Sequence, residues 1–215
     1  MSQHELPFQK RIVYAHRALT KLAALWNSRN SNYNGLRSIF RRWRPGRDGE
    51  PTMDMRSSVW GYVPFDNGGE PAEEATEQRF EISREQAETI DRAATLVALR
   101  AMAGDHPGAP VPLGTALQKA GLTDLRLMRL LTTSRSMRVE ALIRAFQRIN
   151  HERIMINWTM KETERIYNFL FGSAEAARWS INAWAGEFFR TRGTIPTDAG
   201  STTTADIEHT STLEN

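Results

Sequence analysis

Closely spaced arginines in the stretch Gly35–Arg44 are the residues of this chain best suited to binding an anion. Arginine keeps its charge at all physiological pH values and binds phosphate through paired hydrogen bonds. A helix would place Arg37, Arg41 and Arg44 on one arc, because successive residues are about 100° apart. Arg42 would flank the opposite side. Such a cationic strip fits a polyanion better than a single small ligand, and a solvated surface face is the alternative interpretation.

A second group of arginines occupies a predicted pair of helices over residues 125–150. Apolar residues of the second helix fall on one arc, and Arg144 and Arg148 lie opposite that arc. Arg135 lies just before this helix, where backbone N–H groups add positive potential. The pair resembles a helix-turn-helix in length, although such pairs are common in helical proteins. The candidate binding residues in this region are Arg126, Arg129, Arg135, Arg144 and Arg148.

The charge of the chain is unevenly distributed. The formal net charge is +3, but residues 193–215 contain no lysine or arginine. All 28 Lys and Arg residues and 21 of the 25 Asp and Glu residues lie in 1–192, so that part carries +7. A positive surface of this kind favours an anionic partner such as nucleic acid.

The sequence lacks the motifs of common enzymes. It has no cysteine, which excludes disulfides, cysteine-ligated zinc and cysteine nucleophiles. Its histidines show no metal-ligand spacing, and it has neither a phosphate-binding glycine loop nor a nucleophile elbow. We therefore expect no catalytic activity, no metal and no cofactor. It also has no run of about 18 apolar residues and no signal-peptide pattern, so we expect a cytoplasmic protein without a membrane partner.

Helical periodicity through almost the whole chain predicts the elements that position these arginines. We expect an all-α fold of about eight or nine helices, arranged as two packed bundle-like parts without a sheet. The N-terminal part would cover 1–104, a linker 105–112 and a C-terminal bundle 113–192. Within the first part, 66–81 is an acidic segment that we expect to be irregular. The acidic, Thr-rich tail over 193–215 is expected to be disordered.

Local signals predict where several helices begin and end. Ser83 and Gln86 form a capping-box pattern, and Gly121 suits the end of a short helix. We expect Ser136 to cap the helix that carries Arg144. The aromatic residues that helical spacing assigns to the core are Trp158, Tyr167, Phe169, Trp179, Trp184 and Phe188.

An ordered set of segments resembles the CasB family, the small subunit of the type I-E CRISPR surveillance complex Cascade. Val111–Gly121 contains Leu-Gly-x-Ala-Leu-x-x-Ala-Gly, and it is followed by a short helix, a turn with arginine and an Arg-bearing helix. Arg41-Arg42 follows the first helix. Ile156-Asn157-Trp158 stands where the family usually has aliphatic-Asp-Trp. The resemblance covers residues 113–190 and, less closely, 8–44.

The resemblance implies a non-catalytic, all-α subunit present in two copies per complex. Its basic face would hold the guide RNA with its target DNA and the displaced strand, beside the backbone and large subunits. By position, the binding residues would be Arg41, Arg42, Arg135 and Arg144. Family members often carry basic residues after the glycine that matches Gly172, whereas this chain has serine and alanine there.

Two other functions stay open on the sequence. A free-standing helix-turn-helix regulator would read duplex DNA with the arginines between Arg126 and Arg148. A metal-dependent nuclease would use the acidic segment, in which Glu73 and Glu74 are adjacent carboxylates.

Overall fold

The fold is all-α, as the periodicity predicts. The computed structural model describes residues 8–27, 34–45, 49–63 and 83–193, and these form nine α-helices and one turn of 3-10 helix without a sheet. The acidic segment 66–81 lies outside these ranges, as does the tail after Gly193. The helices are α1 (Phe8–Asn27), α2 (Asn34–Arg42), α3 (Met53–Trp60), α4 (Arg84–Ala103), α5 (Leu113–Lys119), α6 (Asp124–Leu131), α7 (Arg138–His151), α8 (Met160–Phe171) and α9 (Ala174–Gly193).

Helix α4 is the central element, because it packs against α1, α2, α3, α7 and α8. Its residues from Ala93 to Leu99 are all buried, and all of them except Thr95 are apolar, as expected for a helix segment that is packed on every side. Many of them are alanines, whose small side chains allow neighbouring helices to approach closely. A second packing centre forms where α9 contacts α5 and α8.

One continuous core joins the two predicted parts. Buried side chains from α1 through α9 form a single hydrophobic cluster, which includes Leu19, Leu96, Phe146 and Trp184. The predicted linker is bonded near both of its ends: His106 Nε2 lies 2.8 Å from Asn150 Oδ1 of α7. Farther on, the Val111 backbone N–H donates to the Met155 carbonyl at 3.0 Å. The segment 105–112 therefore follows the surface of α7 and the loop after it.

Most of the predicted helix ends are confirmed. The Ser83 hydroxyl accepts from the Gln86 N–H, and the Gln86 side chain accepts from the Ser83 N–H, which completes the capping box. Gly121 has φ +72°, and the Leu122 N–H next to it donates to the Leu117 carbonyl. The Ser136 prediction is wrong, since Arg135–Met137 form a 3-10 turn before α7 and no side chain caps that helix.

The predicted arginine helix over 35–44 is shorter than expected. It ends at Arg42, and Trp43 packs in the core beyond the helix end. Pro45 explains the difference, because a proline disfavours helical backbone angles at the residue that precedes it. A second correction concerns Trp179, which was assigned to the core but is 44% exposed on α9. No helix of the described ranges is long and apolar enough to cross a membrane.

Candidate nucleic-acid interface

Four of the predicted arginines surround one groove between α6 and α7. The cavity has a volume of about 450 Å³, and no acidic side chain lines it among the described residues. Its arginines belong to two helices that contact each other. We call this site the arginine groove; its basic residues are Arg126, Arg129, Arg144 and Arg148.

The apolar pattern of the two helices turns these arginines toward the same open space. Helix α6 buries Leu127, Leu130 and Leu131, while Arg126 and Arg129 remain exposed three residues apart. Helix α7 buries the arc that contains Leu142 and Phe146. Arg144 and Arg148 are exposed four residues apart, and side chains at this spacing lie one above the other on a helix.

The groove arginines have few competing partners. Within the described ranges, Arg126 and Arg129 form no side-chain hydrogen bond or ion pair. Arg144 pairs with Glu140. Arg148 pairs with Glu152 at 3.4 Å and donates from Nε to the Ala120 carbonyl at 3.0 Å. Exposed pairs of this spacing stabilise a helix by about 0.3–0.5 kcal/mol, so a phosphate can displace the carboxylates.

Arg135 lies outside the lining of the groove. Its guanidinium donates to the Phe171 carbonyl at 2.9 Å, and Arg138 donates to the Phe169 carbonyl at 2.6 Å. Two cations thus bind the C-terminal end of α8, where carbonyl groups carry partial negative charge. Sequence reasoning missed Arg138, which also lies over the Phe169 ring at 4.8 Å. Burial and the nearby Arg135 charge lower its pKa from the ordinary value.

The arginines of α2 separate into inner and outer positions. Arg41 and Arg42 are exposed, and Arg42 donates to the Ser38 carbonyl one turn earlier at 3.2 Å. Arg44 lies after the helix and donates to the carbonyls of Arg41 and Trp43, both at 2.8 Å. Arg37 faces inward, which differs from the predicted common arc with Arg41 and Arg44.

Arg37 belongs to a half-buried polar group that we call the inner cluster. Its guanidinium lies 3.4 Å from Asp105 and over the Trp26 ring at 5.9 Å. Arg100 of α4 binds the same carboxylate at 2.9 Å and lies over the Trp158 ring at 5.3 Å. Burial lowers the pKa of Arg100, and Asp105 opposes this shift. The inner cluster consists of Arg37, Arg100, Asp105, Trp26 and Trp158.

A buried carboxylate in the C-terminal bundle also escaped sequence reasoning. Glu162 is 3% exposed and accepts a hydrogen bond from Trp184 Nε1 at 2.7 Å. Arg165 pairs with Glu162 at 3.3 Å and with Glu187 at 2.6 Å. Glu187 in turn accepts from the Gly114 N–H, so the network joins α5, α8 and α9. A Cβ at Gly114 would clash with the Trp184 carbonyl, which explains why glycine stands there.

Comparisons of the chain with models of protein families, with curated proteins and with solved structures find no match. No cluster of three or more potential metal ligands occurs among the residues that the structure describes. Glu73 and Glu74 lie outside those residues. The described feature with the clearest binding chemistry is the arginine groove.

Proposed function

We propose that this chain is a non-catalytic, nucleic-acid-binding small subunit of a type I-E CRISPR surveillance complex. The proposal rests on the resemblance to the CasB family, and the all-α fold is compatible with it. One observation of the structure carries the nucleic-acid part: Arg126, Arg129, Arg144 and Arg148 surround one groove without a carboxylate in its described lining. Guanidinium groups bind phosphate oxygens through charge-assisted hydrogen bonds, so a groove lined by four of them suits the phosphates of a strand.

The groove would act on the strand exchange that opens the target. The guide RNA displaces one DNA strand and forms an RNA–DNA duplex that is about as stable as the DNA duplex it replaces. A few contacts to the displaced strand therefore shift the equilibrium between the closed and the open target. The base pairs with the guide supply the sequence specificity, and arginine–phosphate contacts need none. In this role the partners are guide RNA, target DNA, the backbone and large subunits and a second copy of the chain.

Reconstitution with guide RNA and the other subunits tests this proposal. The variant Arg126→Ala/Arg129→Ala removes two cations that have no internal partner in the described structure. We expect it to shorten the R-loop lifetime by about tenfold, since each phosphate contact is a charge-assisted hydrogen bond. The variants Arg41→Ala/Arg42→Ala and Arg135→Ala/Arg144→Ala test the residues given by the resemblance.

A matched control is Arg17→Ala/Arg178→Ala, which removes the same charge from exposed positions of α1 and α9. An R-loop lifetime reduced equally by the control would show that only net charge matters. Unchanged lifetimes in all the groove and family-position variants would overturn the proposal. Sequence-selective duplex binding by the isolated chain would favour the helix-turn-helix regulator instead. Metal-dependent cleavage that Glu73→Ala/Glu74→Ala abolishes would favour the nuclease.

A further inference from the structure

The floor of the arginine groove is apolar, which phosphate contacts alone do not require. Leu122, Leu130, Ala141 and Ala145 line the cavity beneath the four arginines, and Thr133 is the neutral polar residue beside them. A phosphate is strongly hydrated and gains nothing from an apolar floor. A nucleobase has apolar faces and gains from leaving water. The floor and the rim therefore suit different parts of a nucleotide.

We propose that the arginine groove binds one unstacked base of the displaced DNA strand, with the arginines on its neighbouring phosphates. This inference rests on the proposed function and adds that the groove binds a base of the strand as well as its phosphates. The cavity of about 450 Å³ lies within the range of pockets that enclose small organic ligands. No aromatic ring lines it in the described structure. A base can stack on guanidinium planes instead, and the arginines at the rim supply them.

The choice of strand follows from which bases are available. Bases in a duplex are paired and stacked, so none of them can enter a pocket without being extruded. In the proposed complex the guide RNA pairs with the target strand, and the displaced DNA strand is left with unpaired bases. The displaced strand therefore offers a base without the cost of breaking a pair.

Small side chains on α7 create the space. Ala141 and Ala145 are four residues apart and lie on the groove side of that helix. Larger residues at these positions would fill the cavity between α6 and α7. Ala141 is half-buried, so a leucine there can extend into the cavity without replacing a core side chain. The substitution Ala141→Leu fills the space above the floor and leaves every arginine in place.

Fluorescence anisotropy with the full chain separates base from phosphate contacts. The probes are a labelled thymidine 12-mer DNA, a 12-mer of the same length in which abasic residues replace the nucleosides, and a uridine 12-mer RNA. We expect the abasic strand to bind about tenfold more weakly than the intact DNA, because it has no base to stack on a guanidinium plane or to cover the apolar floor. Equal affinity for both DNA strands would overturn the inference without the use of any variant.

Ala141→Leu should reduce the affinity for the intact strand to that of the abasic strand and leave the abasic affinity unchanged. The control Ala183→Leu makes the same substitution at a half-buried position of α9, and it should keep the tenfold preference. Circular dichroism verifies that each variant is folded. A preference that survives Ala141→Leu would place the base elsewhere, and tighter binding of the RNA 12-mer would contradict the assignment to DNA.

The same titrations keep this inference distinct from the proposed function. If Arg126→Ala/Arg129→Ala weakens the binding of both DNA strands equally and the abasic strand binds as well as the intact one, the groove binds phosphates only. In that case the proposed function stands and the base pocket fails. If the arginine variant binds both strands as the unmodified chain does, the groove does not contact the strand, and the base pocket fails together with the part that the proposed function gives to the groove.

Discussion

In the inner cluster two guanidinium groups share Asp105 and lie over indole rings, whereas the groove guanidinium groups surround open space. The side chains of Arg37 and Arg100 are 25% and 12% exposed, and that of Arg144 is 69% exposed. A buried cation must have partners inside the protein, because it has lost its water. An exposed cation without a strong partner can exchange water for a phosphate.

The two regions therefore differ in what an arginine contributes. In the inner cluster, the charges fix α2 and α4 against the loop after α4, and His106 connects that loop to α7. Gly104 supports this arrangement with φ +76°, and a Cβ there would clash with the Asn150 side chain. In the groove, the helices are already held by their apolar faces, and the arginines are left for a ligand. Substitutions in the inner cluster should lower stability and leave binding unchanged. Substitutions in the groove should lower binding and leave stability nearly unchanged.

The largest expected effect is on stability, from Asp105→Ala. It leaves two mostly buried guanidinium groups without their shared carboxylate, and we expect a loss of about 3 kcal/mol in the free energy of unfolding. Urea denaturation measures it. The control Asp124→Ala breaks the exposed pair with Arg192 and should cost less than about 1 kcal/mol. Similar losses in the two variants would show that the inner cluster is no more than a surface pair.

The next effect is on binding, and it compares Arg126→Ala/Arg129→Ala with Arg37→Ala. The groove variant should weaken the binding of a single-stranded DNA 12-mer about tenfold and change the free energy of unfolding by less than about 0.5 kcal/mol. The plot of log affinity against log salt should become less steep by about 1.4, because two phosphate contacts are lost. Arg37→Ala should destabilise the fold and leave the salt slope unchanged. A reduced slope in Arg37→Ala would mean that the inner cluster reaches the ligand.

Sequence reasoning predicted features that depend on near neighbours. The capping box at Ser83 and the helix end at Gly121 each involve residues within a few positions of one another, so the pattern contains the whole interaction. The early end of α2 also had a local signal in Pro45. Arg37 differs, because its partner Asp105 is far along the chain and only the packing of α2 on α4 brings them together.

The groove was predictable in its components and not in its assembly. Helical spacing grouped Arg126 with Arg129 and Arg144 with Arg148, but spacing within a helix does not say how two helices cross. Trp179 shows the same limit, since its ring lies beneath Arg165 at the surface, with 5.7 Å between guanidinium and ring centroid. Glu162 gave no signal, because a lone glutamate in a helical pattern predicts an exposed position.

Glu162→Gln tests whether burial disfavours the charged form of a carboxylate as it does that of a guanidinium group. Burial raises the pKa of Glu162 above its ordinary value of 4.5, against the opposing hydrogen bond from Trp184. The folded chain thus holds this proton to higher pH than the unfolded chain does, so the contribution of Glu162 to stability falls as the pH rises above about 4.5. Glutamine has no proton to lose, and the variant should gain stability relative to the unmodified chain between pH 4 and pH 7.

Urea denaturation at both pH values measures this difference. Glu164→Gln, on the same helix, is the control for the loss of a charge without the loss of the buried carboxylate. A Glu162→Gln variant whose relative stability falls toward pH 7 would mean that the ion pair with Arg165 outweighs the cost of burial.

The smallest expected effect comes from releasing the groove arginines from their neighbours. Glu140→Gln removes the carboxylate that pairs with Arg144, and Glu152→Gln removes the one that pairs with Arg148. The lost pairs contribute about 0.3–0.5 kcal/mol each, so stability should barely change. Affinity for the DNA 12-mer should rise about twofold, because each guanidinium no longer exchanges a carboxylate for a phosphate.

Glu175→Gln, at an exposed position of α9, controls for the change in net charge. Equal gains in this control would assign the effect to net charge, and a reduced affinity in Glu140→Gln would mean that the carboxylate holds Arg144 in its binding position.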